Sequence, residues 1–472
     1  MTQIKFGTSG WRAILCDDFT FNNVRAVSRA IADHLTQEGI ADQGVVIGYD
    51  ARFMGKDFAR ETVRVLAAAG IPSYLCDRDT PTPVIAHELL RRHAAGAINF
   101  TASHNPYDYN GIKFSPAWGG PALPQTTSDI EARANALQDS DVPVVALDKA
   151  EAENLYSEID PRPSYFDTLK KLIDFDAIAG AGLRIAVNPL YGTGRGYLDT
   201  LLEQAGVQVV TINAHLDPYF GGEPPEPAEA HIADFIKLIK EDDEIGLGLA
   251  TDGDADRFGI VDSDGTYIEP NYILALLFDY MIRRKGLTGD AARSVATSHL
   301  IDAVADHHRV KVLETPVGFK FIGEYISAGK ILIGGEESAG LTVRGHVPEK
   351  DGILACLLVA EMVAVEKKSL KALIADLYAR VGEIYTRRIN IRLSAELEQR
   401  LPAKLACPPG EIDGRTITDV IRIDGNKFLF ADGSWLLFRK SGTEPVVRLY
   451  AEAASEKDLQ ELIAAGKEFI LS

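Results

Sequence analysis

Residues 95–106 have the sequence AGAINFTASHNP, in which a short apolar stretch runs directly into a polar loop. The apolar part has the length and composition of a buried β-strand. The same arrangement recurs in residues 245–257, IGLGLATDGDADR, and in residues 330–340, KILIGGEESAG. In parallel sheets covered by helices, ligands bind beyond the carboxyl ends of the strands. We therefore expect three α/β blocks, each with a functional loop at a strand end.

The pattern around these loops supports that division. Residues 45–50, VVIGYD, predict a strand, and residues 58–70, FARETVRVLAAAG, predict a helix that ends at its glycine. Later in the chain polar and apolar residues alternate, and the Asp-Gly pairs at 424–425 and 432–433 indicate hairpin turns. The predicted fold class is α/β, with three related α/β domains of mixed, mostly parallel sheets and a smaller α+β C-terminal domain. The predicted domains span residues 1–150, 151–264, 265–378 and 379–472.

The composition narrows the possible partners. The 472 residues are 46% hydrophobic, which is enough for several packed cores, and the formal net charge is -19. Nucleic acids and anionic membranes require a basic face, so we predict neither as a partner. The cysteines are scattered without paired spacing, which predicts reduced thiols and a cytoplasmic location. Residues 220–231, FGGEPPEPAEAH, are too rich in proline for a core element and predict a surface loop.

Three carboxylates stand at alternate positions of the second loop, on Asp252, Asp254 and Asp256. They repel one another unless a hard divalent cation, which prefers oxygen ligands, lies between them. A calcium EF-hand loop requires glycine and glutamate where this chain has Arg257 and Ser263, so that motif is excluded. A solvated acidic turn is the alternative. The buried strand before the loop and the glycines in it favour a metal site.

Ser103 follows the strand of the first loop, with His104 and Asn105 beside it. This is the position of an exposed nucleophile. A capped turn is an equal alternative, since serine and asparagine favour turns. Lys113, further along the chain, could reach the same centre.

The C-terminal domain carries RKSGTEPVVR at residues 439–448. Arginine forks and hydroxyl groups suit a phosphate dianion, and the central glycine allows backbone N–H groups to approach it. A basic hairpin tip is the alternative, although a local excess of cations is unusual in a chain this acidic. In the third loop, the carboxylates and hydroxyl of GEESAG suit sugar hydroxyls, but an acidic turn would have the same composition.

Taken in order along the chain, these segments resemble the α-D-phosphohexomutase superfamily, and its phosphoglucomutase branch most closely. FGTSGWR at residues 6–12 is similar to the amino-terminal signature, TASHNP to the phosphoserine loop and DGDADR to the metal loop. GEESAG is similar to the sugar loop and RKSGTEP to the phosphate loop. Several ordered motifs are far more specific than one. The resemblance implies a heart-shaped, four-domain protein with one central cleft.

The resemblance also implies roles for individual residues. Mg²⁺ would be held by a phosphorylated Ser103 and by Asp252, Asp254 and Asp256. The implied catalytic residues are Ser103, Lys113, Arg12, His104, Arg257 and Lys320. Lys113 would be the general acid/base. Lys320 would act in place of a histidine that the resemblance implies for some relatives at the position of Gly340. The implied sugar-binding residues are Thr315, Gly318, Glu336 and Ser338. The implied phosphate-binding residues are Arg439, Ser441, Gly442, Thr443, Arg448 and Lys350.

The implied activity is that of an intramolecular phosphotransferase, of the isomerase class, that interconverts glucose 1-phosphate and glucose 6-phosphate. Glucose 1,6-bisphosphate would be the intermediate and activator, and Mg²⁺ the cofactor. The partners would be small hexose phosphates, and the oligomeric state is left open.

Members of the superfamily differ in the sugar that they prefer. Phosphomannomutase and phosphoglucosamine mutase activities are therefore alternatives to the glucose activity. Glu337 and Gly340 favour a glucose enzyme, whereas residues 107–114, YDYNGIKF, are more similar to the bacterial mannose/glucose branch. A sugar-phosphate hydrolase and a catalytically silent sugar-phosphate sensor are further alternatives.

Overall fold

The computed structural model describes residues 3–7, 10–138, 140–440 and 446–472. The chain divides into two compact units, Met1–Ile273 with Phe319–Leu370 and Leu274–Gly318 with Lys371–Ser472. Helices accompany sheets of mixed parallel and antiparallel strands, so the predicted α/β class is confirmed. Among the described residues, no helix combines the length and the apolar composition that crossing a membrane requires. The boundaries of the four domains remain predictions.

The first region builds a seven-stranded sheet. Its elements are β1 (Phe6–Gly7), β2 (Gly10–Ile14), α1 (Phe21–Gln37), β3 (Val45–Tyr49), α2 (Gly55–Ala68), β4 (Ser73–Cys76), α3 (Thr82–Arg92), β5 (Gly96–Phe100), β6 (Tyr109–Pro116), α4 (Pro124–Leu137), α5 (Leu147–Ala152) and β7 (Tyr156–Ile159). The strand order is β1-β2-β6-β5-β3-β4-β7, parallel from β5 to β7 and antiparallel from β1 to β5. The predicted strands are confirmed as β3 and β5, and the predicted helix is confirmed as α2. Because β5 is apolar and buried along its length, its polar loop begins where the strand ends.

The second region builds a five-stranded sheet. Its elements are α6 (Arg162–Leu172), α7 (Phe175–Gly180), β8 (Arg184–Asn188), α8 (Leu198–Gln204), β9 (Gln208–Thr211), α9 (Ala233–Glu241), β10 (Ile245–Thr251), β11 (Phe258–Asp262) and β12 (Tyr267–Ile268). The strand order is β12-β11-β10-β8-β9, in which β10, β8 and β9 run parallel and β11 is antiparallel to β10. The acidic loop therefore connects two neighbouring strands of one sheet.

The third region contributes to both compact units. Its elements are α10 (Pro270–Arg283), β13 (Asp290–Ser294), α11 (Leu300–His308), β14 (Val312–Thr315), α12 (Phe319–Ser327), β15 (Ile331–Glu336), β16 (Gly340–Val343), α13 (Gly352–Glu366) and α14 (Leu370–Val381). In the first unit β15 pairs antiparallel with β16, and in the second β13 pairs parallel with β14. Helix α13 begins at Asp351, whose Oδ1 accepts a hydrogen bond from Leu354 N at 2.9 Å.

The C-terminal region builds an antiparallel sheet in the second unit. Its elements are β17 (Tyr385–Arg392), α15 (Ala395–Ala406), β18 (Glu411–Ile412), β19 (Arg415–Ile421), β20 (Asn426–Phe430), β21 (Trp435–Lys440), β22 (Val446–Ala453) and α16 (Glu456–Leu471). The strand order is β17-β22-β21-β20-β19-β18. Gly425 and Gly433 adopt φ of 82° and 85° between successive strands, so both predicted Asp-Gly hairpins are confirmed.

Candidate active site

Ser103 lies in the turn after β5, and its backbone is strained. Its φ is 52°, in the left-handed region that residues with a side chain rarely adopt, and its N–H donates to Thr101 Oγ1 at 2.8 Å. Such outliers persist only where their surroundings hold them, and they cluster at functional sites. The predicted exposure was wrong, because Ser103 is only 1% exposed. Residues distant in the sequence cover the turn: a Cβ on Gly253 would lie 2.8 Å from Ser103 O and 3.0 Å from Pro225 Cγ.

The three aspartates of the acidic loop are buried and close together. One oxygen from each of Asp252, Asp254 and Asp256 lies within 4.8 Å of the others. Asp252 Oδ2 accepts a hydrogen bond from Ser103 Oγ at 3.0 Å, so the serine reaches the carboxylates of the second sheet. The Oδ1 atoms of Asp254 and Asp256 are buried and accept no hydrogen bond from the described residues. Buried carboxylate oxygens without donors fit a divalent cation, which these residues could hold together with Ser103.

Two lysines compensate the charge of this cluster. Lys113 Nζ lies 2.6 Å from Asp254 Oδ2 and 3.0 Å from Asp256 Oδ2. Lys350 Nζ lies 2.5 Å from Asp256 Oδ2, and Thr82 Oγ1 donates to Asp254 Oδ2 at 2.6 Å. Burial by itself would raise the pKa of Asp254, but the charges and hydrogen bonds of Lys113, Thr82 and Lys350 together outweigh burial and hold that pKa below its usual value.

Asp252 has different surroundings, and its pKa shifts the other way. Its Oδ1 accepts a hydrogen bond from the backbone N–H of Arg257 at 2.9 Å. Burial and the negative charges of Asp254 and Asp256 raise the pKa of Asp252 well above its usual value. Of the three carboxylates, the one next to the serine is therefore the one whose charge would gain most from a cation.

Arg12 and His104 lie beside Ser103. Arg12 Nη1 donates to Asn105 Oδ1 at 2.7 Å, and His104 Nδ1 lies 3.3 Å from Ser103 Oγ. The positive charge of Arg257, burial and the charge of Arg12 hold the pKa of His104 well below its usual value. His104 is therefore neutral at neutral pH and can exchange a hydrogen bond with the serine.

A cavity in the first unit brings three lysines together. Lys113, Lys320 and Lys350 line it, with Glu349 and the aromatic ring of Phe319. Burial lowers the pKa of Lys320. The resemblance assigned Lys350 to a distal phosphate, whereas its ammonium lies against the carboxylate cluster. Lys113 and Lys350 thus contact both this cavity and the carboxylate cluster.

Gly340 leaves room for Lys350 to reach the cluster. A Cβ on Gly340 would lie 2.2 Å from Lys350 Cδ and 2.7 Å from Lys350 Cγ. A larger residue at this position would have to displace the lysine, because atoms that are not bonded do not approach so closely. The absence of a side chain at position 340 therefore goes with the position of Lys350.

The residues implied for the sugar lie in both units. In the first, Glu336 ends β15 and is buried, and Ser338 is half-buried in the turn before β16. In the second, Thr315 ends β14 and donates to Pro316 O at 2.9 Å, and Gly318 has a φ of 131°. All four therefore follow or end a strand.

Two arginines of the implied phosphate loop lie side by side in the C-terminal sheet. Arg439 on β21 is paired in register with Arg448 on β22, and Arg439 Nε donates to Asp424 Oδ2 at 2.9 Å. Like charges on directly opposite residues destabilise a sheet, and the Asp424 carboxylate offsets this at Arg439. Ser441, Gly442 and Thr443 lie outside the described residues.

Arg52 is a buried residue that the sequence did not single out. It follows β3, and its Nε pairs with Asp50 Oδ2 at 3.1 Å. Its guanidinium donates to the carbonyl oxygens of Ser103 (2.7 Å), Asn105 (2.5 Å), Pro106 (2.6 Å) and Tyr109 (2.9 Å). The signal available was its place at a strand end, which is also the place of Ser103. Arginine is so common on surfaces that the residue type did not distinguish it.

A serine hydroxyl against a buried carboxylate cluster, with arginines and lysines around it, fits a phosphotransferase of the isomerase class. Models of the phosphoglucomutase/phosphomannomutase family match this chain in succession. The alpha/beta/alpha domains I, II and III match residues 3–141, 163–265 and 269–381, and the C-terminal domain matches residues 362–466. The chain belongs to the phosphoglucomutase/phosphomannomutase family.

Individual relatives match over nearly the whole chain. A phosphoglucomutase from Komagataeibacter xylinus is 31% identical over 96% of this chain and 87% of its own length. A phosphoglucomutase/phosphomannomutase from Thermococcus kodakarensis is 30% identical over 98% and 97%. A protein of known structure from Thermus thermophilus, assigned as a phosphomannomutase, is 32% identical with a TM-score of 0.87 and full coverage of both chains. The chain is therefore a phosphohexomutase, and the names of these relatives differ in the hexose.

Proposed function

We propose that the chain interconverts glucose 1-phosphate and glucose 6-phosphate through a phosphorylated Ser103 and a glucose 1,6-bisphosphate intermediate. The observation that carries this proposal is the 3.0 Å contact between Ser103 Oγ and Asp252 Oδ2, inside a cluster whose Asp254 and Asp256 have carboxylate oxygens without donors. A nucleophilic oxygen beside a cation site is the arrangement that phosphoryl transfer requires.

The metal ligands are proposed to be Ser103, Asp252, Asp254 and Asp256. Hard oxygen donors of this kind suit Mg²⁺. When bound, the cation would supply neutralisation of the phosphoryl oxygens. Arg12 and Arg257 are proposed to bind the same oxygens from other sides, and His104 to orient Ser103 Oγ.

Lys113 is proposed to move the proton of the reacting sugar hydroxyl. Its Nζ lies between two carboxylates of the cluster and also lines the cavity of the first unit. A proton-transfer group must lie within hydrogen-bond reach of both the chemistry and the substrate. Lys320 and Lys350 line the same cavity and are the further candidates for the second proton transfer, in place of the histidine that the resemblance implies for some relatives at the position of Gly340.

The reaction is proposed to take place in two transfers. Ser103 Oγ first loses its phosphoryl group to one sugar hydroxyl, which gives the bisphosphate. The bisphosphate then reorients, and its other phosphoryl group forms a new bond to Ser103 Oγ. Throughout, the phosphate that is not reacting is proposed to bind Arg439 and Arg448, with Ser441, Gly442 and Thr443. Glu336, Ser338, Thr315 and Gly318 are proposed to bind the sugar.

Burial of the serine supports a mutase over a hydrolase. Ser103 is 1% exposed, and exclusion of water favours transfer to a bound hydroxyl over transfer to solvent. The glucose branch is proposed because Glu337 and Gly340 favour it in the sequence resemblance. Phosphomannomutase activity is the second candidate, because the Thermococcus relative is named for both sugars.

The test is turnover of a panel of hexose 1-phosphates. The purified protein is incubated with Mg²⁺, a trace of glucose 1,6-bisphosphate and the 1-phosphates of glucose, mannose, glucosamine or N-acetylglucosamine. We expect the highest kcat/KM with glucose 1-phosphate, and intact-mass spectrometry should find a phosphate on Ser103. A higher kcat/KM for mannose 1-phosphate would reject the glucose preference and leave the mutase intact. Release of inorganic phosphate without any hexose 6-phosphate would identify a hydrolase instead.

A further inference from the structure

Arg52 holds the turn that carries Ser103 without touching the serine hydroxyl. Its guanidinium is buried, pairs with Asp50, and reaches carbonyl oxygens at both ends of the turn, from Ser103 to Tyr109. Charge-assisted hydrogen bonds of this kind are stronger than those between neutral groups. One side chain thereby fixes several peptide groups of a short loop.

The turn contains a strained residue, and the contacts of Arg52 add to its own hydrogen bonds. Ser103 has a φ of 52°, a conformation that costs free energy in a residue with a side chain. The backbone bonds inside the turn join Asn105 N to Ala102 O and Tyr109 N to Pro106 O, both at 3.1 Å. A peptide group is planar, with its carbonyl and its N–H opposed, so a fixed carbonyl on Ser103 also fixes the N–H of His104. The same contact holds the backbone of Ser103, from which its Oγ reaches Asp252.

The proline-rich segment predicted as a surface loop covers Arg52 from the other side. The Phe220 ring lies under the guanidinium, 5.0 Å from its centroid, and is only 3% exposed. The rings of Tyr219 and Tyr107 lie 5.2 Å apart, edge to face. Pro225 O accepts a hydrogen bond from Gly253 N at 3.0 Å. The segment therefore contacts both the serine turn and the acidic loop, so it is more than a surface loop.

We propose that Arg52, stacked on Phe220, is a positioning residue for phosphoryl transfer: it fixes the serine turn so that Ser103 Oγ stays at the carboxylate cluster. This inference rests on the proposed function, in which Ser103 is the carrier of the phosphoryl group. It adds a residue that contacts neither substrate nor metal ligand side chains, and it gives the proline-rich segment a part in the reaction.

The test is Arg52→Lys, which keeps the positive charge and loses the planar fork. We expect the rate of phosphoryl transfer from glucose 1,6-bisphosphate to unphosphorylated Ser103, followed by intact-mass spectrometry, to fall about 100-fold, the scale of a misplacement of about 1 Å. The KM for the hexose 1-phosphate should change less than about threefold, since the binding groups are untouched.

The matched control is Arg293→Lys in the second unit, where Arg293 is equally buried and pairs with Asp302 and Glu314. It should lower the melting temperature in the same way without slowing the transfer. Equal transfer rates in Arg52→Lys and wild type, or equal slowing in both variants, would overturn the inference. A wild type that never gains phosphate on Ser103 would instead reject the proposed function.

A milder variant decides the matter if Arg52→Lys does not fold. Phe220→Leu leaves Arg52 in place and removes only the ring beneath it, so we expect the transfer rate to fall about threefold to tenfold. Its control is Phe428→Leu, a fully buried ring of the C-terminal sheet. If both variants transfer at the same rate, Arg52 has no positioning role.

Discussion

Both compact units bury lysine, and they do so in opposite chemical surroundings. In the first unit, burial by itself would lower the pKa of Lys113, but Asp254 and Asp256 outweigh it and the pKa is raised. The pKa of Lys350 is raised for the same reason, chiefly by Asp256. These ammonium groups stay charged and line a cavity.

Lys427 in the second unit is compensated less: Glu314 Oε1 lies 3.4 Å from its Nζ, and burial outweighs the nearby carboxylates. It is fully buried, and its Nζ lies 3.0 Å from Val295 O, 2.8 Å from His299 Nε2 and 4.0 Å from the centroid of the Trp435 ring. Burial and the charge of Arg293 lower the pKa of Lys427 to about 8. A carbonyl, a histidine, an indole ring and Glu314 therefore surround a lysine that is still mostly charged at neutral pH but loses its proton more readily than usual.

The difference in surroundings suggests different roles for these lysines. Lys113 and Lys350 are placed to take part in chemistry, and Lys427 is placed to pack the core. Lys113 and Lys350 stay charged beside a cavity that a ligand can enter, whereas Lys427 is fully buried and contacts only protein groups. Changes in the first unit should therefore act on turnover, and changes around Lys427 should act on stability alone.

The largest effect is expected for Ser103→Ala, which removes the proposed carrier and almost no packing volume. Turnover of glucose 1-phosphate should fall by about 10⁴-fold or more, because the two transfers have no acceptor. The melting temperature should stay within about 2 °C of wild type. A coupled assay measures the turnover, and calorimetry measures the melting temperature. Near-normal turnover would remove the serine from the mechanism.

Asp256→Asn should have the next largest effect. The variant keeps the shape and removes the charge that Lys113 and Lys350 share. Loss of a group that merely supports a metal ligand costs about 10–100-fold, so loss of a ligand should cost at least about 100-fold in rate. The Mg²⁺ concentration for half-maximal rate should rise, which a titration measures. If a chelator leaves the wild-type rate unchanged, the cluster does not serve a metal.

Arg448→Ala should act on binding more than on chemistry. One charge-assisted hydrogen bond to phosphate contributes about 1.5–3 kcal/mol, so the KM for glucose 1-phosphate should rise about tenfold or more. The variant should also need more glucose 1,6-bisphosphate, because the intermediate escapes before it reorients. The control is Arg387→Ala on β17, a half-exposed arginine paired with Glu456. Equal KM values in the two variants would remove the arginine pair from the phosphate site.

Lys427→Met should leave turnover unchanged and alter only the pH dependence of stability. The folded pKa of about 8 is below the usual value for lysine, so between pH 8 and about 10.4 the unfolded chain binds more protons. Wild-type stability therefore carries a penalty below pH 8 that disappears as the pH rises through this window. The melting temperature of wild type relative to Lys427→Met should rise by a few degrees, about 2–6 °C, from pH 7 to pH 10.

The control for this pH series is Lys457→Met, at a lysine whose side chain is 86% exposed. Its melting temperature should follow wild type across the whole series. A difference between wild type and Lys427→Met that does not change with pH would contradict the comparison between the two units.

The sequence predicted the fold class and the loops that meet in the first unit, because each loop directly follows an apolar strand. It indicated the aspartate cluster for a local reason, since three carboxylates at alternate positions repel one another whatever surrounds them. It did not predict the burial of Ser103 or the part of Arg52. Both depend on contacts between segments more than 50 residues apart, such as that from Arg52 to Ser103, and no local pattern records them.

The clearance at Gly340 constrains how this enzyme can change. A Cβ at this position would lie 2.2 Å from Lys350 Cδ. A histidine therefore cannot replace Gly340 unless the Lys350 side chain changes its conformation. The two positions are therefore expected to be coupled: a side chain at position 340 would displace Lys350 from Asp256, so its effect should change when Lys350 is substituted as well.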